Sequence, residues 1–129
     1  MSELRVHHVG LWVRDLEGMR KFYVDVLGGE SGSLYENPRT GFRSYFVSFA
    51  DCRLELMWQG GRGGVGRDGA RLGYAHVAMS AGSRSAVDAR VAQLRARGVR
   101  VVGEPRTTGD GYYEAVLEDP EGNRIELMA

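Results

Sequence analysis

Arg53-Leu54-Glu55-Leu56-Met57 returns near the C-terminus as Arg124-Ile125-Glu126-Leu127-Met128, 71 positions later (124 − 53). Upstream of each copy stands a His-Val strand start. His8-Val9-Gly10-Leu11-Trp12-Val13 precedes the first and His76-Val77-Ala78-Met79-Ser80 the second, 68 positions apart (76 − 8). One supersecondary unit is therefore written twice, each copy with a histidine early and a glutamate late. Two imidazoles and two carboxylates from related halves suit the inner shell of a single divalent cation.

The segments between these peptides fill in the unit. Val9, Leu11 and Val13 alternate with His8, Gly10 and Trp12, the period of a strand with two different faces. Asp15 then sits where an N-cap belongs, before Leu16, Met19, Phe22, Tyr23, Val26 and Leu27 at helical spacing. Gly28 and Gly29 close that helix. Strands are expected at about Ser31–Tyr35, Arg43–Phe49 and Cys52–Met57, the last two joined as a hairpin through Ala50-Asp51. The second half repeats the order. Tyr74–Ser80 reads as a strand, and Ser83 or Ser85 caps a helix running to Arg97 before Gly98. Strands follow at Val99–Gly103, Tyr112–Glu118 and Arg124–Met128, with Asp119-Pro120-Glu121-Gly122-Asn123 as a turn. The fold class is α+β, as two βαβββ modules, 1–58 and 73–129, in one domain. The glycine-rich segment 59–72 between them reads as a flexible linker, slack rather than a lid, and its glycines lack the strand-loop-helix context of a phosphate loop.

A chain of 129 residues fits one domain, while each half alone buries too little apolar surface to stand by itself. Seventeen basic residues balance seventeen acidic ones, which argues against a nucleic-acid groove or an anionic membrane surface and favours a small-molecule partner. The one cysteine, Cys52, has no partner for an internal disulfide. No signal-like segment or run of ~20 apolar residues stands out. A cytoplasmic protein is expected.

Strand parity brings the four residues together. His8 opposes Val9 and Leu11, Glu55 opposes Leu54 and Leu56, His76 opposes Ala75 and Val77, and Glu126 opposes Ile125 and Leu127. Helices need apolar contact and should cover the Val/Leu/Ile face, leaving His and Glu on the other. Singly, such a His is most often structural and such a Glu an exposed ion-pair partner; the repetition favours the ligand reading. His7 sits on the opposite face, and a one-residue slip of register would exchange it with His8. An N2O2 shell suits zinc, nickel, cobalt, manganese or ferrous iron better than magnesium or calcium.

His8-Val9-Gly10-Leu11-Trp12-Val13-Arg14-Asp15-Leu16-Glu17, then Phe22-Tyr23-Val24-Asp25-Val26-Leu27-Gly28, resembles the opening of the vicinal oxygen chelate superfamily, which includes glyoxalase I, methylmalonyl-CoA epimerase, bleomycin-binding proteins and extradiol dioxygenases. Asp119-Pro120-Glu121-Gly122-Asn123-Arg124-Ile125-Glu126-Leu127 is similar to its closing signature. The resemblance implies paired modules forming a cup-shaped mixed sheet, a metal in the cleft and a homodimer. The His8, Glu55, His76 and Glu126 set most resembles glyoxalase I. There the metal holds two oxygens of a hemithioacetal of glutathione, and a glutamate moves a proton between adjacent carbons through an enediolate. By motif position Glu126 is the main base and Glu55 its counterpart. Two positions depart from that pattern: Trp12 stands where glyoxalases carry an arginine for glutathione, and Gln59 where they carry an asparagine. An indole cannot anchor a carboxylate as a guanidinium does. Arg14, Arg43, Arg62 and Arg71 are available as substitutes, and Trp12, Tyr45, Phe49, Met57 and Trp58 as the lining of a more apolar pocket.

Other activities use the same scaffold. An extradiol dioxygenase would use ferrous iron on His8, His76 and Glu126, with Glu55 one carboxylate too many. A non-catalytic binder of the bleomycin-resistance kind needs no four ligands. Thiol-transferase resistance enzymes commonly place fewer carboxylates at the metal.

Overall fold

A computed structural model describes residues 7–60, 76–108 and 111–129. The chain divides into two compact units, Met1–Val65 and Gly66–Ala129. The glycine-rich segment beyond Gly60, and the expected start of a strand at Tyr74, lie outside the described residues.

The first unit runs β1 (Val9–Trp12), α1 (Leu16–Lys21), a π-helical continuation (Phe22–Val26), β2 (Glu30–Ser31), β3 (Tyr35–Glu36), β4 (Arg43–Ser48) and β5 (Arg53–Trp58). Asp15 caps α1 by accepting a hydrogen bond from the Gly18 amide at 3.0 Å. The helix then widens: the Leu27 N–H reaches the Phe22 carbonyl five residues back at 3.3 Å. This wide turn holds adjacent Phe22 and Tyr23 both in the core, their rings edge to face at 5.2 Å. Helical spacing alone does not predict it.

The strand order in this sheet is β1-β5-β4-β2, with β3 also on β4. β1 runs parallel to β5, and the other pairings are antiparallel. The single strand expected over Ser31–Tyr35 is instead two short pairings. Ser31 faces Val47 whereas Tyr35 faces Ser44, so the register slips by one across the intervening residues. The hairpin turn stands where expected, with the Phe49 N–H bonded to the Cys52 carbonyl at 2.9 Å.

The second unit runs β6 (His76–Ser80), α2 (Arg84–Ala96), β7 (Arg100–Thr107), β8 (Tyr113–Glu118) and β9 (Arg124–Met128), in sheet order β6-β9-β8-β7. Ser83, one of the two expected caps, accepts from the Ala86 amide at 3.1 Å. Val87, Val91 and Leu94 of α2 are buried, as are Ala115, Leu117, Ile125 and Leu127 of the sheet. The Asp119 carboxylate accepts from the amides of Glu121 and Asn123, each at 2.9 Å, and from the Asn123 side chain at 2.8 Å, which ties the turn before β9. β7 outruns the expected Val99–Gly103. It lies at the sheet edge, where Pro105 needs no ladder partner.

Tyr45 ties α1 to its sheet. The buried ring on β4 donates its hydroxyl to Glu17 at 2.5 Å, and Arg20 both bonds Glu17 at 3.0 Å and lies over the Tyr45 ring at 4.9 Å. The hydroxyl, and then Arg20, hold the Glu17 carboxyl below its ordinary 4.5. The bond to Glu17, and then burial, hold the Tyr45 hydroxyl above 10.0. Glu17 therefore contributes stability above pH 4.5 that is lost as the pH falls through its lowered value. Tyr45 contributes stability below pH 10.0 that is lost as the pH rises through its raised one. Tyr45→Phe is expected to cost about 1 kcal/mol at neutral pH, because Glu17 is solvated. Urea titrations of both proteins from acid to alkaline pH should show that difference shrinking at each end. A constant difference would detach it from this hydrogen bond.

Candidate metal centre

β1 and β5 are parallel neighbours, and Gly10 is the register partner of Glu55. β6 and β9 are parallel neighbours, and Ala78 is the partner of Glu126. His8 and His76 each stand two residues before that partner. In both units the imidazole and the carboxylate therefore share one sheet face and meet diagonally across a parallel pair.

The atoms match as well. His8 Nε2 lies 3.5 Å from Glu55 Oε1, and His76 Nε2 lies 3.2 Å from Glu126 Oε1. Side-chain exposure repeats too: 37% and 43% for the imidazoles, 17% and 20% for the carboxylates. Each carboxylate is thus tucked toward the sheet beneath a solvent-facing ring. With metal–donor bonds of about 2.0–2.2 Å, adjacent donors of one tetrahedral or octahedral cation lie roughly 2.9–3.5 Å apart. Each pair therefore has the dimensions of one edge of a coordination shell. Each unit offers two donors, and among the described residues no group of three or more His, Cys, Asp or Glu gathers into a single site.

His7 and His8 both precede Val9, the first ladder residue, so the side of His8 is fixed by its approach to Glu55, and His7 is placed by its own contacts. Its Nδ1 lies 2.8 Å from His8 Nδ1, and Arg53 approaches its ring nitrogens at 2.9 and 3.2 Å. With a cation on Nε2 of His8, the Nδ1 proton points to His7, which would hold the ring in place. Phe46, register partner of Glu55, stands edge-on to His8 at 5.2 Å and carries Arg53 over its face at 4.7 Å.

Register also sorts the proposed pocket lining. Trp12 and Met57 are partners on the His8/Glu55 face, and Met57 covers Gly10 so closely that a Cβ there would meet its methyl at 2.9 Å. Tyr45 and Trp58 lie on the opposite, helix-bearing face, and Phe49 packs near Gly29 beyond the end of β4. Arg43 is on that opposite face too, ion-paired with Glu36 and stacked 5.4 Å over Trp58. It is turned away from the His8–Glu55 pair. Arg14 lines a cavity of about 190 Å³ with Arg43, Glu17 and Trp58, and Arg62 and Arg71 lie outside the described residues.

Over residues 5–127 the chain matches the Glyoxalase/Bleomycin resistance protein/Dioxygenase superfamily, and it belongs to that family. A lactoylglutathione lyase of Salmonella typhimurium is 29% identical over 97% of this chain and 92% of its own length. Biphenyl-2,3-diol 1,2-dioxygenase 3 of Rhodococcus globerulus is 32% identical over 96% of this chain, which spans 62% of that enzyme. Among solved structures, the trypanothione-dependent glyoxalase I of Leishmania major superposes with a TM-score of 0.78 at 27% identity, covering 98% of this chain and 86% of its own. The α+β architecture of two mixed sheets is that of glyoxalase-like folds. Superfamily members bind small-molecule substrates and often form dimers. Among the described residues no helix is long and apolar enough to cross a membrane.

Proposed function

We propose that His8, Glu55, His76 and Glu126 jointly hold one divalent cation, and that the protein is a glyoxalase-type lyase or isomerase. Its substrate would be a small oxygen-chelating molecule such as a hemithioacetal of glutathione or of another thiol. The observation that carries this reading is the repeated His–Glu pair, at the same diagonal register in both units and at 3.5 and 3.2 Å. Zinc, nickel, cobalt, manganese or iron fits the donor set. When bound, the cation supplies Lewis acidity that offsets negative charge building on the substrate oxygens.

The chain's own groups do the rest. His8 and His76 stay as neutral ligands, with His7 steadying His8. Glu126 takes the proton from one substrate carbon and returns it to the neighbouring one, with Glu55 as its counterpart. We further propose that modules 1–58 and 73–129, joined by the 59–72 linker, form one domain, and that the protein is a cytoplasmic homodimer.

The dioxygenase relative supports a second reading, ferrous iron on His8, His76 and Glu126. Glu55, only 3.5 Å from His8, then fills space that oxygen would need. Elemental analysis and a metal-by-substrate screen on the full chain separate the two. The expected result is bound divalent metal and metal-dependent conversion of methylglyoxal–thiol hemithioacetals. Inertness toward a panel of such adducts with every metal would sink the lyase, and oxygen uptake with catechols would transfer the assignment.

A further inference from the structure

The edge strand β7 carries a feature that the metal centre does not use. Its pairing with β8 begins in regular register, Arg100 with Glu118 and Val101 with Leu117. It then skips one residue before Gly103 meets Val116, and one more before Arg106 meets Glu114. Each skip reverses which side chains face which way. Glu118, Val116 and Glu114 alternate with buried Leu117 and Ala115, and Val116 is the register partner of Glu126. The first bulge therefore brings Gly103 onto the face that holds His76 and Glu126, and the second restores the alternation, so Arg106 lies on that face with Arg100.

Arg106 reaches back along the strand to Gly103. A Cβ built there would be 3.5 Å from an Arg106 terminal nitrogen and 3.2 Å from the Val116 side chain. The charge thus lies beside Gly103, at the outer end of the row Gly103–Val116–Glu126. That row spans two strand spacings, roughly 10 Å between the Glu126 and Gly103 backbones. Arg106 is exposed and makes no ion pair or hydrogen bond among the described residues. Glu114, its register partner, is buried with a partner of its own. Arg100, on the same face, is tied to Glu118 at 3.3 Å. In the first unit, Trp12 offers no charge at all.

We propose that Arg106 is a specificity-determining residue that binds an oxyanion, carboxylate or phosphate, at the non-reacting end of the substrate. It rests on the lyase reading for what reacts at the other end. The planar guanidinium suits either oxyanion through paired N–H donors.

Binding, not turnover, tests it. The full chain is titrated calorimetrically with S-hexylglutathione, with its dimethyl ester, and with S-hexyl-coenzyme A. The wild type should bind at least one of the anionic probes about tenfold more tightly than the ester. Arg106→Ala should abolish that preference, Arg106→Lys should restore part of it, and Arg95→Ala on α2, with the same charge change, should leave it intact. Loss confined to S-hexylglutathione assigns a carboxylate, and loss confined to the coenzyme A probe a phosphate. No preference in the wild type, or an undiminished one in Arg106→Ala, overturns the proposal. A protein that shows the preference yet converts no hemithioacetal would refute the lyase reading alone.

Discussion

Glu126→Gln is expected to lower kcat/KM for the hemithioacetal by about 10²–10⁴, the usual contribution of a positioned base. The substitution keeps the shape of the side chain and an oxygen donor but removes its capacity to take a proton. Glu126 sits on β9 between buried Ile125 and Leu127, which fix the backbone that presents it. Metal content measured on the same preparation separates the two duties of the carboxylate. A variant that retains its metal and loses its rate identifies the base. One that keeps both metal and rate would remove Glu126 from the reaction and shift attention to Glu55.

The largest effect on stability is expected at Leu117. It is fully buried on β8, between register partners Val101 and Ile125, on the sheet face opposite Glu126 and Val116. Leu117→Ala leaves a cavity in a core that interdigitates at crystal-like density, and should cost about 2–5 kcal/mol. That corresponds to a fall in Tm of roughly 10 °C. Val102→Ala, on the exposed part of β7, should stay within about 0.5 kcal/mol. Equal losses from the two substitutions would mean that this sheet is not packed as described.

Much of this was legible in the residues because two periodicities are strong. Alternation along β5 and β9 assigns Glu55 and Glu126 to one face and the leucines to the other, and the side-chain pairs with His8 and His76 follow that sorting. Ser83 and Asp15 declare their helices because an unpaired first-turn amide needs an oxygen. What alternation cannot reveal is where it breaks. A bulge leaves no fixed residue signature, so the slip after Ser31 and the two in β7 stay hidden until partners are known. Arg106 lies beyond the expected strand, which ends at Gly103, whereas β7 runs on to Thr107. The two skips cancel, so strict alternation from Arg100 reaches the right face for Arg106 and the wrong one for Gly103, and Gly103 and Pro105 on an edge strand are the one local hint of the bulges. Arg43 fails as a substitute for the opposite reason: its parity with Tyr45 already commits it to the helix side.

Each His–Glu pair joins the first strand of its unit to the last, across 47 residues in one case (55 − 8) and 50 in the other (126 − 76). A half-built unit, with its hairpin formed but its opening strand still loose, can offer an ion only one tooth of the pincer. Loading with metal should therefore report that the chain has closed upon itself, and an ion held by these pairs would act as a buckle fastened last.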